Sequence, residues 1–187
     1  MKKFSARRCV ALLLALTLCA GLLVGCAKEE GEVEEKTNVV TAQPGGDGAP
    51  FTEEFDTSQR FGTQVVGDTM CVAFNGIQNN RRYKVPYFTA ASDTITVTGT
   101  ATAESERNKT YRVTLWKRVD GGMEYVGNDD RPGTIELTAD GGAYTGQFTG
   151  LEPGAQYKVG LAYDGRGKYF ISGQLAVRGL AGAEAAE

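Results

Sequence analysis

Thr94-Ile95-Thr96-Val97-Thr98-Gly99-Thr100-Ala101-Thr102 places threonine at every even position and an apolar residue or glycine at every odd one. Successive side chains of an extended chain point to opposite faces, so this stretch predicts a β-strand with one wet face and one buried face. The same period of two recurs on both sides of it. Downstream, Tyr111, Val113, Leu115 and Val119 share a face, with Arg112, Thr114, Trp116 and Arg118 opposite, and Asp120-Gly121-Gly122 turns the chain into 123–126. That is the chemistry of a tight hairpin.

Ile135 and Leu137 lead to Asp140-Gly141-Gly142, with Tyr144 and Phe148 on the far side, which predicts a second hairpin. Tyr157, Val159, Leu161 and Tyr163 run up to Asp164-Gly165-Arg166-Gly167, and Tyr169, Ile171, Leu175 and Val177 run away from it as a third. Upstream, Met70, Val72 and Phe74, then Tyr83, Val85 and Tyr87, supply the opening strands. No stretch has sustained helical periodicity. The expected fold class is all-β, an antiparallel sandwich of about seven or eight strands.

At Leu151-Glu152-Pro153-Gly154-Ala155-Gln156-Tyr157-Lys158-Val159 the sequence resembles the turn and strand near the end of fibronectin type III domains. The resemblance implies a tyrosine corner, in which the Tyr157 ring fills the core while its hydroxyl bonds the backbone. It extends over roughly 92–179, with the nine-residue corner as its specific part. The early core tryptophan common in that family has no counterpart in 94–102, where Gly99 and Ala101 stand instead, so a related immunoglobulin-like sandwich is equally compatible.

The chain of 187 residues opens differently. Residues 1–8 are basic, 10–24 form an apolar run of signal-peptide length, and Leu23-Val24-Gly25-Cys26 closes it. That tetrapeptide resembles the lipobox of bacterial lipoproteins. The resemblance implies a signal peptide over 1–25, removed on export, and acyl chains such as palmitate on Cys26, anchoring the mature protein to a membrane with the domain facing the periplasm or the cell exterior. Residues 26–50 are rich in Glu, Gly and Pro and predict a disordered acidic linker reaching on the order of 25 to 30 Å. The sandwich domain is then expected over 51–180 and a frayed tail over 181–187.

Composition excludes several functions. The chain has 20 basic and 23 acidic side chains, and four of the basic ones, Lys2, Lys3, Arg7 and Arg8, fall in the leader. The rest are scattered, which argues against nucleic acid as a partner. Histidine is absent. That removes Ser-His-Asp and Cys-His catalysis and any His-bound metal, and no cofactor motif is present, so an enzyme is not expected. Of four cysteines only Cys71 lies in the body, between Met70 and Val72, as a core residue.

Candidate ligand-binding residues are few. Trp116, the single tryptophan, shares the polar face of its strand with Arg112 and Arg118; it could stack on a sugar or a partner side chain, be sandwiched by the two guanidinium groups, or, with the strand in the other register, be buried by the other sheet. Arg81 and Arg82, in Asn79-Asn80-Arg81-Arg82-Tyr83-Lys84, could capture an anionic envelope glycan or form a solvated loop. Asn128-Asp129-Asp130 and Asn108-Lys109-Thr110 are read as turns rather than as a calcium loop and a glycosylation site. The expected role is a non-catalytic binding or adhesion module for protein or glycan; the alternatives are a spacer or assembly subunit and, more remotely, a carboxylate-based hydrolase.

Overall fold

The computed structural model describes residues 39–78, 85–128 and 130–183, and the following concerns those residues. They are all-β: β1 (Val39–Thr41), β2 (Gln43–Pro44), β3 (Phe61–Val66), β4 (Thr69–Ile77), β5 (Phe88–Ala90), β6 (Ile95–Ala103), β7 (Thr110–Val119), β8 (Gly122–Tyr125), β9 (Thr134–Thr138), β10 (Asp140–Phe148), β11 (Gln156–Ala162), β12 (Ile171–Arg178) and β13 (Leu180–Ala183). One sheet has the order β1-β9-β7-β11-β5-β13, with β8 also on β7; the other has the order β2-β10-β6-β12-β4-β3. All neighbours are antiparallel except β1 on β9. The architecture is a two-sheet β-sandwich.

β6 carries out what its threonines dictate. Ile95, Val97 and Ala101 enter the core, while Thr96, Thr100 and Thr102 face outward. Thr98 is the exception, 3% exposed, because Arg178 Nη1 donates to its hydroxyl at 3.3 Å and Thr145 Oγ1 stands 2.9 Å away. Met70, Val72 and Phe74 of β4, Tyr111, Val113 and Leu115 of β7, and Tyr157, Val159 and Leu161 of β11 complete the apolar layer between the sheets. Burying apolar surface at this density is what holds the two sheets together.

Several expectations change. Thirteen strands form rather than seven or eight, in part because β1, β2, β5 and β13 have only two to four residues, too few for alternation to show. The first hairpin exists as β7 and β8 around Gly121, at φ 86°. Val119 lies beyond the core and is exposed. The second and third hairpins do not form. β9 belongs to the first sheet and β10 to the second, and the chain crosses at Ala139, whose N–H donates to Lys109 O at 2.7 Å while its carbonyl accepts the Ala103 N–H at 3.0 Å. The glycines after Asp140 make a bulge at the start of β10 rather than a hairpin turn. β11 and β12 likewise lie in different sheets, joined by 163–170. Alternation reveals strands but not which sheet each joins. Val85 and Tyr87 precede a strand that starts at Phe88, because Pro86 has no N–H to give a ladder; Tyr83 lies outside the described residues.

The domain limits also move. β1 and β2 fall inside the expected linker and pair one with each sheet, so the sandwich includes residues from Val39 on. After them 45–60 straps the outer face of the second sheet: Arg178 Nη2 donates to the carbonyls of Asp47 and Gly48 at 2.9 and 2.7 Å, Thr52 and Gln64 exchange two hydrogen bonds, and Asn75 Nδ2 donates to the carbonyls of Thr57 and Gln59. Phe51 stacks on Phe55 at 4.5 Å. Of the expected tail, 181–183 belong to β13, which pairs with β5, and 184–187 lie outside the described residues. Satisfied backbone groups and a few apolar anchors order a segment whose composition reads as disordered.

Candidate functional site

β7 presents Arg112, Thr114, Trp116 and Arg118 on its outer face, opposite the core residues Tyr111, Val113 and Leu115, as alternation requires. The ladder sets their neighbours. Arg112 stands between Glu136 of β9 and Ala162 of β11, Thr114 between Thr134 and Gly160, and Trp116 between Tyr125 of β8 and Lys158 of β11.

Trp116 does not lie open on this face. It is 8% exposed, its ring 5.5 Å from Tyr125 in an edge-on contact, and its indole N–H donates to Thr114 Oγ1 at 3.1 Å. Gly160 makes this possible: a Cβ there would stand 2.9 Å from Thr114 Oγ1 and 3.5 Å from the indole nitrogen. The Tyr125 hydroxyl is in turn 3.0 Å from Thr134 Oγ1. A bulky aromatic on the polar face is thus buried on the side away from the other sheet, an arrangement the sequence did not offer, with Tyr125 of β8 packed against its ring.

Two cations lie over the ring of Tyr87. Arg118 Cζ lies 4.8 Å and Lys158 Nζ 5.0 Å from the centre of the Tyr87 ring, and Arg118 Nη1 donates to Gln156 Oε1 at 3.0 Å. Arg112 Nε is 3.4 Å from Glu136 Oε2. The structure therefore brings Trp116 and Arg118 onto one patch with Tyr125, Tyr87 and Lys158, and sets Arg112 two rows further along in an ion pair. Tyr87 and Lys158 are functional candidates that the sequence offered no reason to join, because the loop before Tyr87 has no readable register. Arg81, Arg82 and Cys26, the residue expected to carry the lipid, lie outside the described residues.

At the end of β7 past Trp116, Lys117 bonds Glu152, which raises the lysine pKa and lowers that of the carboxyl. Beside them the Tyr157 hydroxyl accepts the Glu152 N–H at 2.9 Å, with the ring 1% exposed. This is the tyrosine corner as a local device. The immunoglobulin and fibronectin arrangement keeps the corner strand and the strand after it in one sheet; here β11 and β12 separate.

Cys71 is fully buried, and burial raises its thiol pKa. Asn128 Oδ1 accepts the Asp130 N–H, and Asn108 Oδ1 accepts both the N–H and the hydroxyl of Thr110, so both asparagines close turns. Asp129 lies outside the described residues. No known protein family, curated protein or solved structure matches the chain.

Proposed function

We propose that this chain is a lipid-anchored, non-catalytic binding module of the bacterial cell envelope, held at the membrane through Cys26 and engaging an acidic glycan or protein through the outer face of β7 and β11. The observation that carries the reading is the Tyr87 ring flanked by Arg118 and Lys158 at 4.8 and 5.0 Å, beside the packed Trp116 and Tyr125 pair. Two cations held over an aromatic ring, beside a packed aromatic pair, make a preorganised patch that suits a ligand carrying negative charge. The absence of histidine supports a role without proton-transfer chemistry.

Trp116 is the single tryptophan and lies at this patch, so its emission reports on it. The test is to titrate the chain from Ala27 onward with purified envelope polysaccharides and extracellular matrix proteins while following that emission. A saturable change that weakens with salt and disappears in Arg118→Gln/Lys158→Gln supports the reading. Silence across the panel from a folded chain sinks it. A second reading, an assembly subunit, is favoured by β3, an edge strand of the second sheet with Val65 45% exposed; concentration-dependent association of a chain that ignores every ligand would select it.

A further inference from the structure

The far end of the β7 and β11 ladder holds a second feature, away from the Trp116 patch. Segments 104–109 and 164–169 enclose a groove of about 390 Å³, with Arg107 and Asn108 on one side and Asp164, Arg166, Lys168 and Tyr169 on the other. Its size falls within the roughly 300 to 1,000 Å³ of small-molecule sites.

The groove is built rather than left over. The buried Ser105 hydroxyl accepts the N–H groups of Arg107 and Asn108 at 3.3 and 3.1 Å. Asn108 Nδ2 donates across to Asp164 O at 2.7 Å, and the buried Tyr163 hydroxyl donates to Asn108 O at 3.2 Å, so the two segments are tied together. Lys168 and Tyr169 both donate their N–H to Gly165 O, at 3.0 and 3.1 Å, closing the second loop.

Its charge opposes that of the molecule. Three cations meet one carboxylate in a chain of net charge −3. The acids of these segments are engaged: Asp164 Oδ1 accepts the Arg166 N–H, Glu104 accepts the Phe170 N–H, and Glu106 pairs with Lys109 at 2.9 Å. Arg107, Arg166 and Lys168 have no ion pair among the described residues. Arg166 is also the only described non-glycine residue with a left-handed backbone, φ 48°. Glycine adopts that conformation freely, so an arginine is held there at a conformational cost. Tyr169, 43% exposed, adds an open ring face to the rim.

We propose that this groove binds the anionic unit of an acidic saccharide, with Arg107, Arg166 and Lys168 holding its carboxylate or phosphate and Tyr169 covering the sugar ring. Loops already tied in place carry the cations, so little backbone has to be ordered when an anion binds, and the positive groove concentrates anions on an otherwise acidic surface. The site shares no residue with the Tyr87 patch and stands or falls separately from it.

The experiment is isothermal titration of the full chain in detergent with D-glucuronate, D-glucose 6-phosphate and neutral D-glucose. Saturable heat from one or both acids and none from glucose is expected, with Trp116 emission unchanged; the two acids tell a carboxylate site from a phosphate site. Arg166→Gly suits the local backbone, so it should melt no lower than the wild type yet bind about tenfold more weakly, the loss of one charged hydrogen bond. Lys168→Gln, on an exposed side chain, gives an independent second loss. No saturable heat from either acid, glucose binding as well as its acids, or unchanged affinity in both variants overturns the proposal.

Discussion

The phenol oxygen of Tyr111 lies in the hollow over Gly99, where an added Cβ would come within 2.0 Å of it. The same Cβ would stand 2.8 Å from Leu175 and 2.9 Å from Leu137, so the hollow is closed on all sides by core side chains. The Tyr111 hydroxyl is buried without a hydrogen-bond partner among the described residues. Two substitutions should therefore act in opposite directions. Gly99→Ala overfills the core and should cost about 3 kcal/mol. Tyr111→Phe removes an unsatisfied polar atom and should be neutral or stabilising by about 1 kcal/mol. Urea midpoints measure both, and a clear loss in Tyr111→Phe would mean that the hydroxyl has a partner after all.

The same residue makes stability fall in alkali. Burial holds the Tyr111 phenol far above its ordinary value. The neutral form is favoured in the folded chain, so this contribution is complete below the unfolded phenol value of about 10 and is lost as pH rises above it, where only the unfolded chain releases the proton. Wild type and Tyr111→Phe should keep a constant stability difference below about pH 9 and diverge above about pH 10, the variant becoming relatively more stable. Parallel curves through that range would show that the phenol ionises in place.

The Tyr157 hydroxyl closes the turn at 152–156 by accepting the Glu152 N–H. Tyr157→Phe keeps the ring, which packs 6.4 Å from Phe88, and leaves that N–H unpaired. The expected loss is about 1 to 2 kcal/mol. Chemical denaturation checks it, and the exposed neighbour variant Lys117→Met, which breaks the surface pair to Glu152, should cost well under about 1 kcal/mol. Equal losses in the two would remove the corner's special role.

The fold class was legible because alternation is a local consequence of strand geometry: Thr96, Thr100 and Thr102 go out and Ile95, Val97 and Ala101 go in whatever sheet β6 joins. Sheet membership was not, because it depends on pairing across the sequence. Asp140-Gly141-Gly142 and Asp164-Gly165-Arg166-Gly167 look like hairpin turns, and the structure uses them as a bulge and a crossing loop. At the candidate patch the face of Trp116 was correct, since Arg112, Trp116 and Arg118 do share it. Its burial was hidden, since it requires Tyr125 from the next strand and the missing side chain of Gly160.

Cys71 gives a probe of opening. In a chain that begins at Ala27 it is the only thiol, since Cys9, Cys19 and Cys26 are absent. It is fully buried beside Gln64, which the strap holds through Thr52, and burial raises its pKa. Both effects deplete reactive thiolate at the surface. Modification by a disulfide reagent should be undetectable in native buffer and immediate in denaturant. Prompt native labelling would show that the strap lifts easily.

The strap and the two short strands before it make the last prediction. A chain starting at residue 51 keeps every long strand but loses β1, β2 and the carbonyls of Asp47 and Gly48 that receive the Arg178 guanidinium. It also loses Ala42, whose N–H donates to Glu136 O at 2.8 Å, and leaves both β9 and β10 as open edges. The net cost of a few such hydrogen bonds is roughly 3 kcal/mol, a large part of a typical domain's stability. The exposed edges add a route to edge-to-edge association. A chain starting at residue 39 should therefore unfold at a clearly higher urea concentration and stay monomeric, while one starting at 51 should be less stable and tend to aggregate. Equal midpoints for the two would return 39–50 to the role of a passive linker.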